Sequence, residues 1–512
     1  MASSINKLRC LNDALPIHQL PIELLLSIFE YVLRTGAAAS IYNRRICALS
    51  GVCARWFLLI QHSPALWTTV AVSIKEEGLS KILERSSGRL IDVEYEPQDG
   101  ETLRYAEGSF MEPFNILSST TGRWRTLILE TRHYSGDRPS EFLQFPAPNL
   151  ERLVFRNNNV WDMKDVELFG GHCPNLKHIH LDRAECKWSQ AAFKGLESLE
   201  LSYLSFDTIE PILDVIRDIS LLERLEIHDC DVREDVPANT KPVSLPNLQF
   251  LRAEFDDYGL IYATKQLLNH ISAPPPCPLY VSLADYEDGE DSFVDTFCEW
   301  LFGRQTKEVL EGLESFNLGF GVSEDDLKDL LSFELHSGSA KIRGGVRAFR
   351  VENVQYILEY IQGLFQRSHS SKPFTKLRLS GRGVELLNDS RLITPFKDLP
   401  PITHLELVEP VWSLRKPSKD VHNGSELRTA SPFSTVKSFL LREVSPDDTL
   451  DIVLGALGDP RARSHSMSEL RVGNLDHVEV HVEETDFIKV EAVVEVLRND
   501  SRIGKVDLYV AL

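Results

Sequence analysis

His178, His180 and Asp182 stand at alternate positions, and His228 falls in a similar pattern further along. Alternate residues of a strand share one face, so these four side chains are the ones most able to gather a metal. No Cys or carboxylate at fixed ligand spacing completes a zinc set. The plain reading is a solvated histidine pair on an open sheet. Asp285, Glu287, Asp288, Glu290 and Asp291 offer the oxygen ligands calcium takes, but Gly289 stands at the fifth place and no Glu closes a twelve-residue loop. That stretch reads as a solvated acidic loop. Gly319-Phe320-Gly321 is too short to cradle a pyrophosphate, and neither a G-x-x-x-x-G-K-[ST] loop nor a G-x-S-x-G elbow occurs. Ser, His and Asp are plentiful, yet nothing in their spacing points to a triad. No cofactor and no catalytic residue is expected, so the chain reads as one that holds other molecules.

The chain has 512 residues, 43% hydrophobic and 26% charged, which is an ordinary composition for a folded protein with a substantial core. Its net charge of −21 argues against general affinity for nucleic-acid phosphates or acidic membranes. The eight cysteines are scattered without a CxxC pair, which argues for a reducing compartment. The first twenty residues lack a signal-peptide core, and no run approaches a membrane span. A cytoplasmic or nuclear protein is expected.

The polar residues need elements that aim them. From Trp67 onward an apolar residue, two variable ones, an apolar, one variable and an apolar recur. The triplets are Trp67-Val70-Val72, Leu90-Val93-Tyr95, Trp124-Leu127-Leu129, Leu150-Leu153-Phe155, Leu176-Ile179-Leu181, Leu196-Leu199-Leu201, Leu222-Leu225-Ile227 and Leu248-Leu251-Ala253. After Pro274-Pro275-Pro276 the pattern weakens to Val281-Leu283. It resumes at Leu313-Phe316-Leu318, Val346-Phe349-Val351, Phe374-Leu377-Leu379, Ile402-Leu405-Leu407, Val436-Phe439-Leu441, Met467-Leu470-Val472 and Ile503-Val506-Leu508. A series at intervals of roughly 20–36 residues is a period, and a period means a solenoid. Helical patterns lie between triplets: Ile209, Ile212, Leu213, Ile216 and Ile219; Val354, Ile357, Leu358, Ile361 and Phe365; Leu450, Val453, Leu454 and Leu457. Strand then helix, repeated, predicts parallel strands joined by helical crossovers. Exposed inserts are expected at Asp285–Asp291, Ser337–Gly345, Lys416–Ser431 and Gly458–Ser468.

This array resembles the leucine-rich repeat. Leu150-x-x-Leu153-x-Phe155-x-x-Asn158-x-Val160 and Leu222-x-x-Leu225-x-Ile227-x-x-Cys230-x-Val232 fit its longer pattern. The Asn or Cys side chain there can satisfy backbone groups the strand leaves unpaired. Residues flanking the second apolar position point to the opposite sheet face, giving Arg152, Val154 and Arg156; His178, His180 and Asp182; Ser198, Glu200 and Ser202; Arg224, Glu226 and His228; Phe250, Arg252 and Glu254; then Lys376, Arg378, His404 and Glu406. Arg152, Arg156, His178, His180, Arg224, Glu226, Phe250 and Arg252 are the candidates for binding a target protein. Trp161, Trp188, Trp300 and Trp412 read as packing between repeats.

Ahead of the array, residues 15–72 carry two short apolar stripes. Leu20, Leu24, Leu25, Ile28, Phe29 and Val32 make the first, with Pro21 where a first helical turn tolerates a missing N–H. Ile46, Leu49, Cys53, Trp56 and Ile60 make the second, as one amphipathic helix ended by Pro64. A unit of that size is near the lower limit of independent folding, so a partner is expected to cover it. Leu20-Pro21-x-Glu23-Leu24-Leu25-x-x-Ile28-Phe29, then Leu49-x-x-Val52-Cys53-x-x-Trp56-x-x-Leu59-Ile60, then Pro64-x-Leu66-Trp67 resembles the F-box. One departure is the segment Leu33 to Arg45, longer and richer in Ala and Gly than the usual connection.

The resemblance implies a helical hook that docks on a Skp-family adaptor of a cullin–RING ubiquitin ligase. Its adaptor-binding set is Leu20, Pro21, Leu24, Leu25, Ile28 and Phe29, with Val52, Trp56 and Trp67 holding the hook together. The expected architecture is α/β: a tail (1–14), a short α-helical F-box (15–72) and an irregular leucine-rich-repeat solenoid (73–512) with a break near 273–292. The implied role is that of a non-catalytic substrate receptor for an unknown target protein. A scaffold without ligase activity and an enzyme with its site on the inserts are the rival readings.

Overall fold

Three helices open the chain: α1 (Ile22–Arg34), α2 (Ala39–Ser50) and α3 (Ala54–Gln61). The structure is a computed structural model. It describes residues 15–35, 38–72, 76–95, 111–131, 142–157, 164–188, 190–232, 240–255, 269–272, 277, 279–284, 315–322, 329–337, 340–347, 359–360, 362–363, 376–381, 402–408, 436–442, 452–453, 457, 475–483 and 487–511. The stripe expected as one helix from Ile46 to Ile60 is two helices. Gly51 closes α2, and Cys53, in extended conformation, starts α3 by accepting the Trp56 N–H on Sγ at 3.5 Å. Apolar periodicity continued across this break because α2 and α3 both turn a face to the same core. The long connection expected from Leu33 to Arg45 is mostly helix, since α1 reaches Arg34 and α2 begins at Ala39. Alanine, the strongest helix former, sits where a loop was expected.

The chain divides into two units, residues 1–248 with 266–272 and residues 249–265 with 273–512. In the first unit the hook leads into β1 (Thr69–Ala71), α4 (Glu76–Arg85), β2 (Ile91–Tyr95), α5 (Met111–Ser118), β3 (Trp124–Thr131), β4 (Arg152–Asn157), β5 (His178–Asp182), α6 (Gln190–Phe193), β6 (Ser198–Ser202), β7 (Ser205–Phe206), α7 (Glu210–Asp218), β8 (Arg224–His228), β9 (Asp231–Val232) and β10 (Val243–Ser244). Strands β1, β2, β3, β4, β5, β6 and β8 pair in that order, all parallel. Short parallel ladders join β7 to β9 and β10 to a strand at Ile271–Ser272.

The triplets line up in register. Val70, Val93, Leu127, Leu153, Ile179, Leu199 and Leu225 form one buried column, and Leu129, Phe155, Leu181, Leu201 and Ile227 form the next. A one-residue slip would turn every one of these side chains to the wrong face, which is why the pattern specifies its own register. A second sequence device repeats beneath the columns. Pro-Asn-Leu occurs at 148–150, 174–176 and 246–248, and each Asn amide donates to a carbonyl 27 residues earlier: Asn149 to Gly122, Asn175 to Pro148 and Asn247 to Ser220, at 2.7–2.8 Å. Cys230 is buried with Sγ 3.6 Å from the Leu201 carbonyl. Asn158 lies outside the described residues. Trp188 stacks on Phe193 and packs on Phe206, whereas Trp161, Trp300 and Trp412 lie outside the description.

Three successive strands end in the same left-handed corner. Arg183, Tyr203 and Asp229, the residues after β5, β6 and β8, have φ of 51°, 53° and 46°. At two of them the corner N–H donates to the next strand, Arg183 to the Ser202 carbonyl and Tyr203 to the His228 carbonyl, at 2.8–2.9 Å.

The second unit contains β11 (Phe250–Phe255); with Ile271–Ser272 numbered β12, its further strands are β13 (Leu279–Ala284), β14 (Ser315–Val322), β15 (Asp329–Ser337), β16 (Ala340–Arg347), β17 (Lys376–Gly381), β18 (His404–Val408), β19 (Ser438–Arg442), β20 (Leu475–Glu483) and β21 (Ile503–Ala511), with α8 (Phe487–Arg498) between the last two. Their order is β11-β13-β16-β15-β14-β17-β18-β19-β20-β21. Every pairing is parallel except those of β15, which runs against both neighbours. Strand β15 thus pairs antiparallel with the strands just before and just after it in sequence.

Most of the exposed insert expected at Ser337–Gly345 is therefore strand β16. The triplet Val346-Phe349-Val351 reaches only the end of that strand, and Phe349 and Val351 lie outside the described residues. Within this unit Leu251 pairs in register with Leu279 and Ala253 with Val281, so the triplet positions on β13 fall at Leu279 and Val281, two residues before Val281-Leu283. Strand β20 carries Leu475-x-x-Val478-x-Val480, a triplet absent from the expected series, whereas the expected Met467-Leu470-Val472 lies outside the described residues. Phe439, Val478 and Val506 continue its column. Gly504, the second residue of β21, lies where a Cβ would stand 2.7 Å from the Asp476 carbonyl oxygen, so this close approach requires glycine. The expected inserts at Asp285–Asp291, Lys416–Ser431 and Gly458–Ser468 lie outside the described residues.

Candidate functional site

Helix α1 is apolar on two faces. Leu25, Phe29 and Leu33, spaced four apart, are fully buried, while Leu24, Ile28, Tyr31 and Val32 are 51%, 39%, 74% and 39% exposed. The single stripe read from sequence merges these two. Leu25 and Phe29 were placed in the docking set; the structure puts them in the hook's own core, where no adaptor can reach them. Leu24 and Ile28 do lie on the open face. Pro21 is exposed and precedes the first helical residue, its carbonyl accepting the Leu25 N–H at 3.1 Å. Leu20 is half-buried.

Val52 was expected to hold the hook together, yet it is 56% exposed. Trp56 fills that structural role, meeting the Phe29 ring edge-on at 4.8 Å. So does Trp67, which is buried, donates from Nε1 to the Ile60 carbonyl at 2.8 Å and carries the Arg85 guanidinium over its ring. Phe57 and Leu58 on α3 are also exposed. Their signal was present: in an eight-residue helix reading ARWFLLIQ, large apolar residues fall off the core stripe as well as on it.

Charged side chains brace the hook from behind. Arg55 donates to the His18 carbonyl and, at 3.2 Å, to that of Leu20. Arg45 donates to the Val32 and Thr35 carbonyls at 3.0 and 2.9 Å, capping the end of α1. Glu94 on β2 accepts the Ala39 N–H at 2.7 Å, which places a carboxylate at the N-terminus of α2. Tyr42 donates to the Leu66 carbonyl at 3.1 Å, and burial pushes its hydroxyl up to about 12. The hook is thus tied to β2 through Glu94, while the apolar face of α1 stays open.

On the strand face of the first unit, register aligns three polar rows. Arg152, His178, Ser198 and Arg224 form one; Val154, His180, Glu200 and Glu226 the next; Arg156, Asp182, Ser202 and His228 the third. The target-binding candidates Arg152, Arg156, His178, His180, Arg224 and Glu226 therefore share one surface. His180 Nδ1 lies 3.4 Å from Glu200, and His228 Nε2 lies 3.9 Å from Glu200 and 3.8 Å from Glu226. Arg224 Nε donates to Glu226, and Arg156 stands 3.8 Å from Glu130. No three His, Cys, Asp or Glu side chains among the described residues are placed to hold a metal.

Phe250 and Arg252 belong to β11 of the second unit, where Arg252 pairs with Glu254. That unit has ion pairs of its own between neighbouring strands: Lys376 lies 2.6 Å and Arg378 3.8 Å from Glu406, and His477 lies 3.0 Å from Asp507. His481 stacks on Tyr509 at 4.8 Å.

Burial, then the positive neighbours Arg156 and His228, push the His180 imidazole down to about 4. Burial raises Glu200, with Glu226 adding to it, and burial also raises Asp182 against the pull of Arg183. Between pH 6.5 and about 4 the unfolded chain binds a proton at position 180 that the folded chain refuses, so His180 makes stability fall as pH drops through that window. Glu200 and Asp182 oppose it, because the folded chain holds their protons more tightly than the unfolded one. The expected result is that His180→Gln flattens the pH dependence of the urea midpoint between pH 7 and 5, removing a slope of up to about 1.4 kcal/mol per pH unit. Parallel curves for the two proteins would remove His180 from the account.

Cys173, Cys186 and Cys230 are buried, and that burial pushes each thiol up to about 12, which marks them as packing residues. Among the described residues no helix is long and apolar enough to cross a membrane. No curated protein matches the chain in sequence. The F-box-like family model matches residues 17–73, which contain the hook and its open apolar face and make up about a ninth of the chain.

Proposed function

We propose that this chain is the substrate-recognition subunit of a Skp–cullin–F-box ubiquitin ligase, an F-box protein with irregular leucine-rich repeats. The observation that carries the reading is the second apolar face of α1. A helix whose core side is already filled by Leu25, Phe29 and Leu33 still presents Leu24, Ile28, Tyr31 and Val32 to solvent, inside the residues the F-box-like model matches. An exposed apolar patch of this kind marks a protein interface.

In this reading the chain breaks and makes no bonds. A Skp-family adaptor covers the open face and connects the chain to a cullin–RING assembly in the cytoplasm or nucleus. The polar strand faces hold the target. The gain is proximity: target lysines are kept at high effective concentration beside a ubiquitin-charged enzyme.

Affinity capture of the full chain, with and without residues 1–72, tests this directly. Adaptor and cullin are expected with the full chain and lost with the truncation, while target proteins are retained by both. Capture of the adaptor without any cullin would favour a scaffold that uses the hook for assembly alone.

A further inference from the structure

Glu200 and Glu226 are register partners on β6 and β8, and like charges directly opposite one another repel. Glu226 is covered and tied to Arg224. Glu200 is half-exposed, and its ion-pair contacts among the described residues are the imidazoles of His180 and His228, at 3.4 and 3.9 Å. An imidazole is mostly uncharged at neutral pH, and the burial of His180 keeps it so. Among the described residues no Lys or Arg stands within ion-pair distance of Glu200; Arg156 and Arg224 act on it from farther away, and burial together with Glu226 outweighs them, so its partly desolvated negative charge favours the arrival of a further cation. Three residues on, at the corner ending β6, Tyr203 is 43% exposed. The Arg183 guanidinium lies over its ring at 4.3 Å, so the ring accepts cationic groups and offers the kind of aromatic surface that anchors interfaces.

We propose that the strand face of the first unit receives an extended target segment rich in Lys or Arg, one cationic head meeting Glu200 while a neighbouring side chain rests on Tyr203. This deepens the reading of that face as the target site and depends on it. The net charge of −21 suits the same partner, because it draws basic chains to the molecule before any contact forms.

The purified full chain is titrated with three fluorescent twelve-residue Gly/Ser peptides, carrying four Lys or Arg, none, or four Glu. The basic peptide is expected to bind at least about tenfold more tightly than the neutral one. Glu200→Gln is expected to weaken it by roughly tenfold, the scale of one lost charge-assisted contact. Tyr203→Ala should weaken it too, and Glu495→Gln, an exposed carboxylate on α8, should leave it unchanged. Equal or absent binding of the three peptides overturns the proposal. So does an equal effect of Glu200→Gln and Glu495→Gln, which would mean attraction by overall charge alone. Tightest binding of the acidic peptide would move the site to the Arg152 and Arg224 edge and also overturn it. Adaptor capture on the same preparations separates the two readings: its failure with peptide binding intact counts against the ligase assignment, and the converse counts against the cationic target.

Discussion

Leu24→Asp combined with Ile28→Asp is expected to abolish adaptor capture while leaving the thermal unfolding of the first unit in place. Both side chains are exposed, so the folded chain loses no core contact when they change. In a complex they would be covered, each contributing about 1.5–3 kcal/mol of apolar burial, and a buried unpaired carboxylate would add a penalty of its own. Together these exceed the roughly 4 kcal/mol that separates micromolar from millimolar binding. Phe29→Ala is the control with the opposite signature. Phe29 is fully buried against Trp56, so its loss costs about 3–5 kcal/mol of stability and removes adaptor binding by loosening the hook. Retention of the adaptor by the double Asp variant, measured by pull-down beside circular-dichroism melts, would falsify the docking face.

Leu199→Ala is expected to lower the stability of the first unit by about 2–5 kcal/mol, read from urea unfolding. Leu199 is fully buried at the centre of a column, paired in register with Ile179 and Leu225. Truncation leaves a cavity that two flanking strands, each fixed by its own ladder, cannot close. Ser198→Ala on the opposite face should change stability by no more than about 0.5 kcal/mol. Similar costs at the two positions would mean that the alternation of buried and exposed residues does not define the core.

That alternation is the part of the fold most legible in the sequence. The triplets named Leu153, Ile179, Leu199 and Leu225 as equivalent because a strand's period of two leaves each side chain one face to occupy. The hook was less legible. Leu24 and Leu25 are adjacent and both apolar, and a helix that must serve its own core and a partner shows a broad stripe in which the two duties cannot be told apart. The reversed strand β15 was illegible for another reason: an apolar alternation reads the same in either direction. The Pro-Asn-Leu repeat was readable and passed over. What it signals is a hydrogen bond across repeats, which becomes meaningful only once the repeats are stacked. The pairing of Glu200 with two histidines was hidden as well, since it depends on cross-strand neighbours from three separate strands.

The strict register of the first unit's strands also sets a rule for anything that lies across them. Neighbouring strands stand about 4.8 Å apart, whereas side chains on one face of an extended chain repeat at about 6.6–6.8 Å. The two spacings fall into step at about 14 Å, where three strand intervals meet two side-chain repeats. Arg152 on β4 and Arg224 on β8 are three intervals apart in the same row. A crossing segment would thus touch both through residues four apart in its own sequence, and positions between them would ride over the sheet unmatched. If this face is the target site, recognition there would work as a vernier, reading a sparse spacing of residues and leaving the intervening ones free to vary.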